Sequence, residues 1–116
     1  MLLRMRAEEL KGHLDAMLLA ALEGGPQHGY AVIEALRQTT GGRLDLPTGT
    51  IYPALRRLEQ AGLIAGSWSV VGGRRRREYQ LTSAGDRALS GRRADWRDFS
   101  AMVTAALEGG PCPNPA

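Results

Sequence analysis

The sequence predicts a mainly α fold with one β-hairpin and a long final helix. Apolar residues recur at helical spacing in four segments. Two strand-favouring segments flank the pair Gly72-Gly73. Arginines gather on that hairpin and on the helix before it. With 116 residues, 43% hydrophobic and 23% charged, the chain has the size and composition of one globular domain with one modest core. A core this small gains from pairing with a second copy.

The elements follow in order. Leu14, Met17, Leu18, Ala21 and Leu22 place a first helix over residues 7–22, which Gly24-Gly25-Pro26 stops. A second helix opens at Gln27-His28-Gly29-Tyr30. Tyr30, Ile33 and Leu36 form its apolar stripe with Val32 beside it, and Gly41-Gly42 breaks it. Residues 43–47 read as a connector with room for one brief extended strand. Thr48 offers a side-chain oxygen to cap a third helix. Ile51, Leu55 and Leu58 mark the buried face of that helix, Pro53 makes its early turn irregular, and Gly62 ends it. Segments 63–71 and 74–81 form the hairpin, whose glycine pair permits the positive backbone angles of a tight turn. Thr82 caps a fourth helix reaching about residue 107. In it Leu89, Arg92, Trp96, Phe99, Val103 and Ala106 make a heptad-like seam with one polar interruption, and Gly91 weakens the helix locally. The Gly/Pro-rich residues 109–116 read as a disordered tail.

Three helices, a hairpin and a last helix are the layout of a winged helix-turn-helix (residues 7–82) followed by a C-terminal dimerisation helix (83–108). In that geometry helix three presents one face to the major groove of DNA, and the hairpin carries arginines to phosphates as a wing. The net charge is +3, Lys11 is the only lysine, and Arg56, Arg57, Arg74, Arg75, Arg76 and Arg77 lie in one region opposed only by Glu59 and Glu78. Guanidinium forks suit phosphate.

Other classes fare poorly. Two histidines, one tail cysteine (Cys112) and scattered acids form no metal spacing and no nucleophile–base pairing, and the glycines are not a phosphate-binding loop. Neither enzyme activity nor a metal or cofactor is expected. A lone cysteine makes no internal disulfide. The longest apolar run, residues 16–22, is too short for a membrane span, so the cytoplasm is the expected location.

The segment Thr48-Gly49-Thr50-Ile51-Tyr52-Pro53-Ala54-Leu55-Arg56-Arg57-Leu58-Glu59-Gln60-Ala61-Gly62-Leu63-Ile64 resembles the recognition-helix signature of PadR-like transcriptional regulators. His28-Gly29-Tyr30 resembles the family's start of helix two. Gly73, Arg76, Arg77, Tyr79, Leu81, Thr82 and Gly85 resemble its wing and the start of its last helix. The single C-terminal helix is similar to the family's shorter branch, and Glu78 departs from the aromatic common there. The resemblance implies a homodimeric repressor on an inverted-repeat operator in double-stranded DNA, released in some members by a small molecule.

Candidate DNA contacts are His28, Tyr30, Thr48, Thr50, Tyr52, Arg56, Arg74, Arg75, Arg76 and Arg77. Arg56, one turn after Tyr52, is favoured over Arg57. Because strand side chains alternate, Arg75 and Arg77 share one face with Tyr79 and Leu81, and Arg74 and Arg76 share the other. The candidate dimer interface or effector pocket is Leu89, Trp96, Phe99, Met102, Val103 and Ala106, joined by Leu2, Leu3 and Met5. Aromatic walls between two subunits suit a flat apolar effector. His13 has no evident partner. The alternative is a winged-helix module that binds an acidic protein surface and not DNA.

Overall fold

The computed structural model describes Leu10 and residues 12–110. Helix α1 spans Leu14–Ala21, strand β1 Gln27–His28, α2 Gly29–Thr39, α3 Thr48–Gln60, β2 Ile64–Val71, β3 Arg74–Leu81 and α4 Ser83–Glu108. Residues 1–9, 11 and 111–116 lie outside the described residues. With them lie residues 7–9 and 11 of the expected first helix, Leu2, Leu3, Met5 and most of the expected tail. The described Gly12 and His13 form a turn, so the expected helix over 7–22 is not continuous and α1 begins at Leu14.

One core joins the helices to the base of the sheet. Leu18, Leu19 and Leu22 come from α1 and its end, Val32, Ile33 and Leu36 from α2, and Ile51, Ala54, Leu55 and Leu58 from α3. Ile64, Tyr79 and Leu89 close it from β2, β3 and α4. Each large side chain buried in this way stabilises the fold by roughly 1.5–3 kcal/mol.

The helix ends follow their sequence signals. After α3, Leu63 N–H donates to Leu58 O and Gly62 N–H to Glu59 O, with Gly62 at φ +77°. This pair of bonds satisfies the last carbonyls and needs a positive φ, which glycine adopts without strain. The hairpin turns through Gly72 (φ +59°) and Gly73 (φ +79°), and Val71 pairs with Arg74. Two consecutive positive φ values give the turn whose twist matches the strands. Thr82 caps α4 by accepting from Gly85 N–H at 3.0 Å, and its hydroxyl donates to Gly62 O at 2.7 Å. One threonine thus ties the end of α3 to the start of α4. Helix α4 runs unbroken through Gly91.

Four further expectations about the elements are corrected. The brief strand is at 27–28 and not at 43–47. There Gln27 and His28 pair with Tyr79 and Glu78, adding a third strand in the order β1-β3-β2. Leu44 and Leu46 are buried between exposed Arg43 and Asp45, so the alternation is real, but no strand pairs with it. Thr48 is the first residue of α3 and not its cap. Extended Pro47 holds the N-cap position with no side-chain cap, and its carbonyl accepts from Thr50 and Ile51 N–H. Tyr30 does not belong to the buried stripe of α2, which is Gly29, Val32, Ile33 and Leu36. His13 does have a partner: its ring meets Trp96 edge-on with centroids 5.3 Å apart. Helix α3 also accommodates Pro53 without breaking.

Two glycines carry the packing. A Cβ on Gly85 would overlap the Leu63 carbonyl oxygen, which is backbone and cannot swing away. A Cβ on Gly29 would overlap the Tyr52 ring, so Gly29 lets the phenol of α3 lie on the first turn of α2.

Gly85→Ala is expected to destabilise the fold by about 1–3 kcal/mol in chemical denaturation. Gly91→Ala, facing open space in the same helix, is expected to stabilise it by about 0.5–1 kcal/mol. Equal effects would show that no close approach exists at Gly85. Gly29→Ala is expected to destabilise the native chain yet stabilise a Tyr52→Ala background through helix propensity. The same sign in both backgrounds would remove Tyr52 as the reason for the glycine.

Candidate nucleic-acid interface

Helix α3 buries Ile51, Ala54, Leu55 and Leu58. A helix that turns this face inward carries Tyr52, Arg56 and Glu59, spaced four and three apart, along another side. Tyr52 is 39% exposed and Arg56 is exposed. Arg57 is drawn to Asp15 of α1 by an ion pair, whereas Arg56 forms no ion pair among the described residues. Thr48 and Gly49 are exposed at the first turn, where helix amides have no intrahelical acceptor and attract anions. Thr50 is half-buried beside them.

The start of α2 lies against this surface. His28 is extended (φ −80°, ψ 163°) and caps α2, its Nδ1 accepting from Ala31 N–H at 3.3 Å. Tyr30 projects outward at 58% exposure. The Gly29–Tyr52 contact therefore brings Tyr30, Tyr52 and the amino end of α3 into one region, although 22 residues separate the two tyrosines in sequence. This joins the two sequence-distant segments expected at DNA.

The wing divides its arginines. Trp68 pairs with Arg77, Val70 with Arg75 and Gly66 with Tyr79, so these residues share a sheet face. Arg74, Arg76 and Glu78 lie on the other, across from Val71, Ser69 and Ser67. Arg74 and Arg75 are exposed; Arg76 and Arg77 are half-buried. Arg75 lies over the Trp68 ring, with Cζ 4.6 Å from the ring centroid. Arg76 Nε and Ser69 Oγ, cross-strand partners, are both occluded with no hydrogen-bond partner. Arg77 turns back onto α3, where Glu59 accepts its hydrogen bond. Its guanidinium passes over Gly66, with Nε 2.7 Å from where a Cβ would sit. Arg77, expected as a phosphate contact, is thus already paired with a carboxylate. Burial pushes the Tyr79 phenol beneath it above its ordinary pKa, opposed by the nearby Arg77 charge and reinforced by Glu59.

The second surface is on α4. Trp96, Phe99 and Met102 are exposed, Trp96 by 53%, and Ala106 and Leu107 extend the strip. Val103 is half-buried. Leu89 is not available to a second chain: it is only 2% exposed and belongs to the core. It instead floors a groove between α1 and α4 walled by Met17, Trp96 and Phe99. Two adjacent residues of α4 reach the segments flanking α1, Arg92 donating to Gly12 O at 2.6 Å before it and Arg93 forking onto Glu23 at 2.8 Å after it. The Arg93 guanidinium holds the exposed Glu23 carboxyl below the usual carboxylate range.

Sequence reasoning placed Gly66 and Trp68 in the hairpin and Glu59 on helix three, but missed that the three surround Arg77. Trp68 reads as a strand-former and Glu59 as an exposed helix acid. Their meeting depends on strand register, although the equal parity of Arg75 and Arg77 hinted at it. Among the described residues no three His, Cys, Asp or Glu side chains form a group able to hold a metal ion. No described helix is long and apolar enough to cross a membrane.

Comparison with known proteins agrees with this geometry. A PadR-family regulator from Eggerthella lenta has a similar structure, with a TM-score of 0.76 and 33% identity over 87% of each chain. A PadR-like regulator from Bacillus cereus superposes with a TM-score of 0.77 at 27% identity, over 88% of this chain and 98% of that one. In sequence, transcriptional regulator Rv3488 of Mycobacterium tuberculosis is 51% identical over 61 residues, 53% of this chain and 54% of its own length. Residues 18–91, from α1 through the wing into α4, match the transcriptional regulator PadR-like family. The chain is a member of that family.

Proposed function

We propose that this regulator binds DNA as a homodimer and represses transcription from an inverted-repeat operator. The observation that carries the reading is the outward side of α3, where Tyr52 and Arg56 stand beside Tyr30 and Arg56 forms no ion pair among the described residues. In the complex α3 enters the major groove. Thr50, Tyr52 and Arg56 reach base edges or phosphates, and the first-turn amides at Thr48 and Gly49 hold a phosphate. His28 and Tyr30 border the backbone where α2 crosses it. Arg74, Arg75 and Arg76 extend the contact to neighbouring phosphates or the minor groove.

Two such surfaces are paired by α4. At about 1.5 Å per residue this 26-residue helix is ~39 Å long, and its second half presents Trp96, Phe99, Met102, Val103 and Ala106 as an apolar strip. A second copy related by a twofold axis offers the same strip, which makes it the self-complementary occupant. The groove floored by Leu89 and walled by Trp96 and Phe99 is where a flat apolar effector would enter and loosen operator binding.

Mobility-shift titration on duplexes from upstream of its own gene tests the reading. A retarded complex that survives excess scrambled duplex is expected, with half-sites about 10 bp apart or a multiple of that. No preference over scrambled DNA at low salt would refute it. Trp96→Ala is expected to weaken self-association at least tenfold in sedimentation, a loss of about 1.4 kcal/mol or more. An undiminished dimer would remove the α4 strip from the interface.

A further inference from the structure

We infer that Arg77 is a positioning residue that fixes the angle between the wing and the reading helix through Glu59, and not a contact to DNA. Its importance for operator binding rests on the DNA-binding reading above; the latch itself does not.

The four consecutive arginines 74–77 are chemically alike but not structurally equivalent. Arg77 forms the one ion pair between the hairpin and a helix among the described residues. Both side chains are about two-thirds buried, at 31% and 29% exposure. Water and salt therefore screen this pair less than the surface pair Arg57–Asp15. The guanidinium is enclosed on several sides. The backbone of β2 passes at Gly66, where any side chain would displace it. The Trp68 ring lies 5.4 Å from its Cζ, and the Tyr79 phenol senses both members of the pair. Arg74, Arg75 and Arg76 form no such pair among the described residues, so Arg77 alone of the four has its charge already matched by a carboxylate.

Position gives the pair its leverage. Glu59 lies in the last turn of α3, and β2 departs at Ile64 after the Gly62 turn. Arg77 sits opposite Trp68, midway along the hairpin. The bond closes the corner between helix and hairpin beyond the covalent hinge, so it restrains the direction in which the tip arginines point. It also neutralises Glu59, an acid on the side of α3 that carries Tyr52 and Arg56. A paired guanidinium releases no counterion on binding DNA, whereas an exposed one does.

Amide hydrogen exchange of the free protein and DNA titration across salt concentrations test this with Glu59→Gln, Arg77→Ala, Arg77→Lys and Arg75→Ala. Glu59→Gln is nearly isosteric and guards against misfolding as the explanation. Expected for both Glu59→Gln and Arg77→Ala are faster exchange within residues 66–77 and operator binding weakened about fivefold, with an unchanged slope of log K on log salt. The double variant is expected to be no worse than either single one. Arg77→Lys, which keeps the ion pair, recovers part of the loss. Arg75→Ala instead flattens the slope by about 0.9. A slope flattened by Arg77→Ala, or binding unchanged or tightened by Glu59→Gln, would make Arg77 a phosphate contact and overturn the inference. Should the native protein bind no duplex, the DNA-binding reading fails, and exchange decides the latch alone: wild-type rates in Glu59→Gln would overturn it.

Discussion

Burial of one face of α3 constrains everything outside it. Ile51, Ala54, Leu55 and Leu58 are each at most 1% exposed and hold the helix against α1, α2 and the base of the sheet. Rotating α3 to turn Tyr52 and Arg56 inward would expose four apolar side chains and bury a charge, at a cost of several kcal/mol. Helical geometry then leaves no choice about which residues face outward. The same core places Ile64 and Tyr79, and through them the root of the hairpin. The wing is therefore set relative to α3 by shared packing at its base and by Arg77–Glu59 further out.

The charge of the candidate interface is distributed by structure and not by count. Arg57 is committed to α1 and Arg77 to α3. Arg56, Arg74, Arg75 and Arg76 form no ion pair among the described residues. Of these, Arg75 lies over the Trp68 ring, a contact that would lower the entropy it has left to lose if it met a phosphate as proposed. The α4 strip has the opposite character. It is apolar, continuous and exposed, and among the described residues the hydrogen bonds from α4 side chains to α1's flanks come from Arg92 and Arg93, before the strip begins.

Much of this was legible in the residues. Period-3.6 stripes located the helices, Gly62 and Thr82 marked their ends, and the Gly72-Gly73 pair marked the hairpin turn. The misplaced strand shows the limit. Leu44 and Leu46 alternate with polar neighbours as a strand does, but a strand also needs a partner, and β3 pairs on its free side with Gln27–His28. Two residues are too few to show a period. By spacing Tyr30 reads as part of the apolar stripe, because an aromatic at helical spacing reads as core, while the burial of Gly29 in its place depends on Tyr52 lying across it. Parity along β3 separated Arg75 and Arg77 from Arg74 and Arg76, yet no local pattern shows that Glu59 lies within reach of Arg77. Leu89 likewise fits the seam of α4 by spacing, and only the packing of that helix on α1 assigns it to the core.

The claim that the outward side of α3 reads duplex DNA is tested most directly by local cleavage. An Arg56→Cys variant in a Cys112→Ser background, carrying an iron–EDTA cleavage reagent at position 56, would be bound to an operator duplex. The expected result is two symmetric clusters of major-groove cleavage, one per half-site and about 10 bp apart or a multiple of that. Cleavage spread uniformly along the duplex, or confined to the minor groove, would contradict the placement of α3 and with it the functional reading.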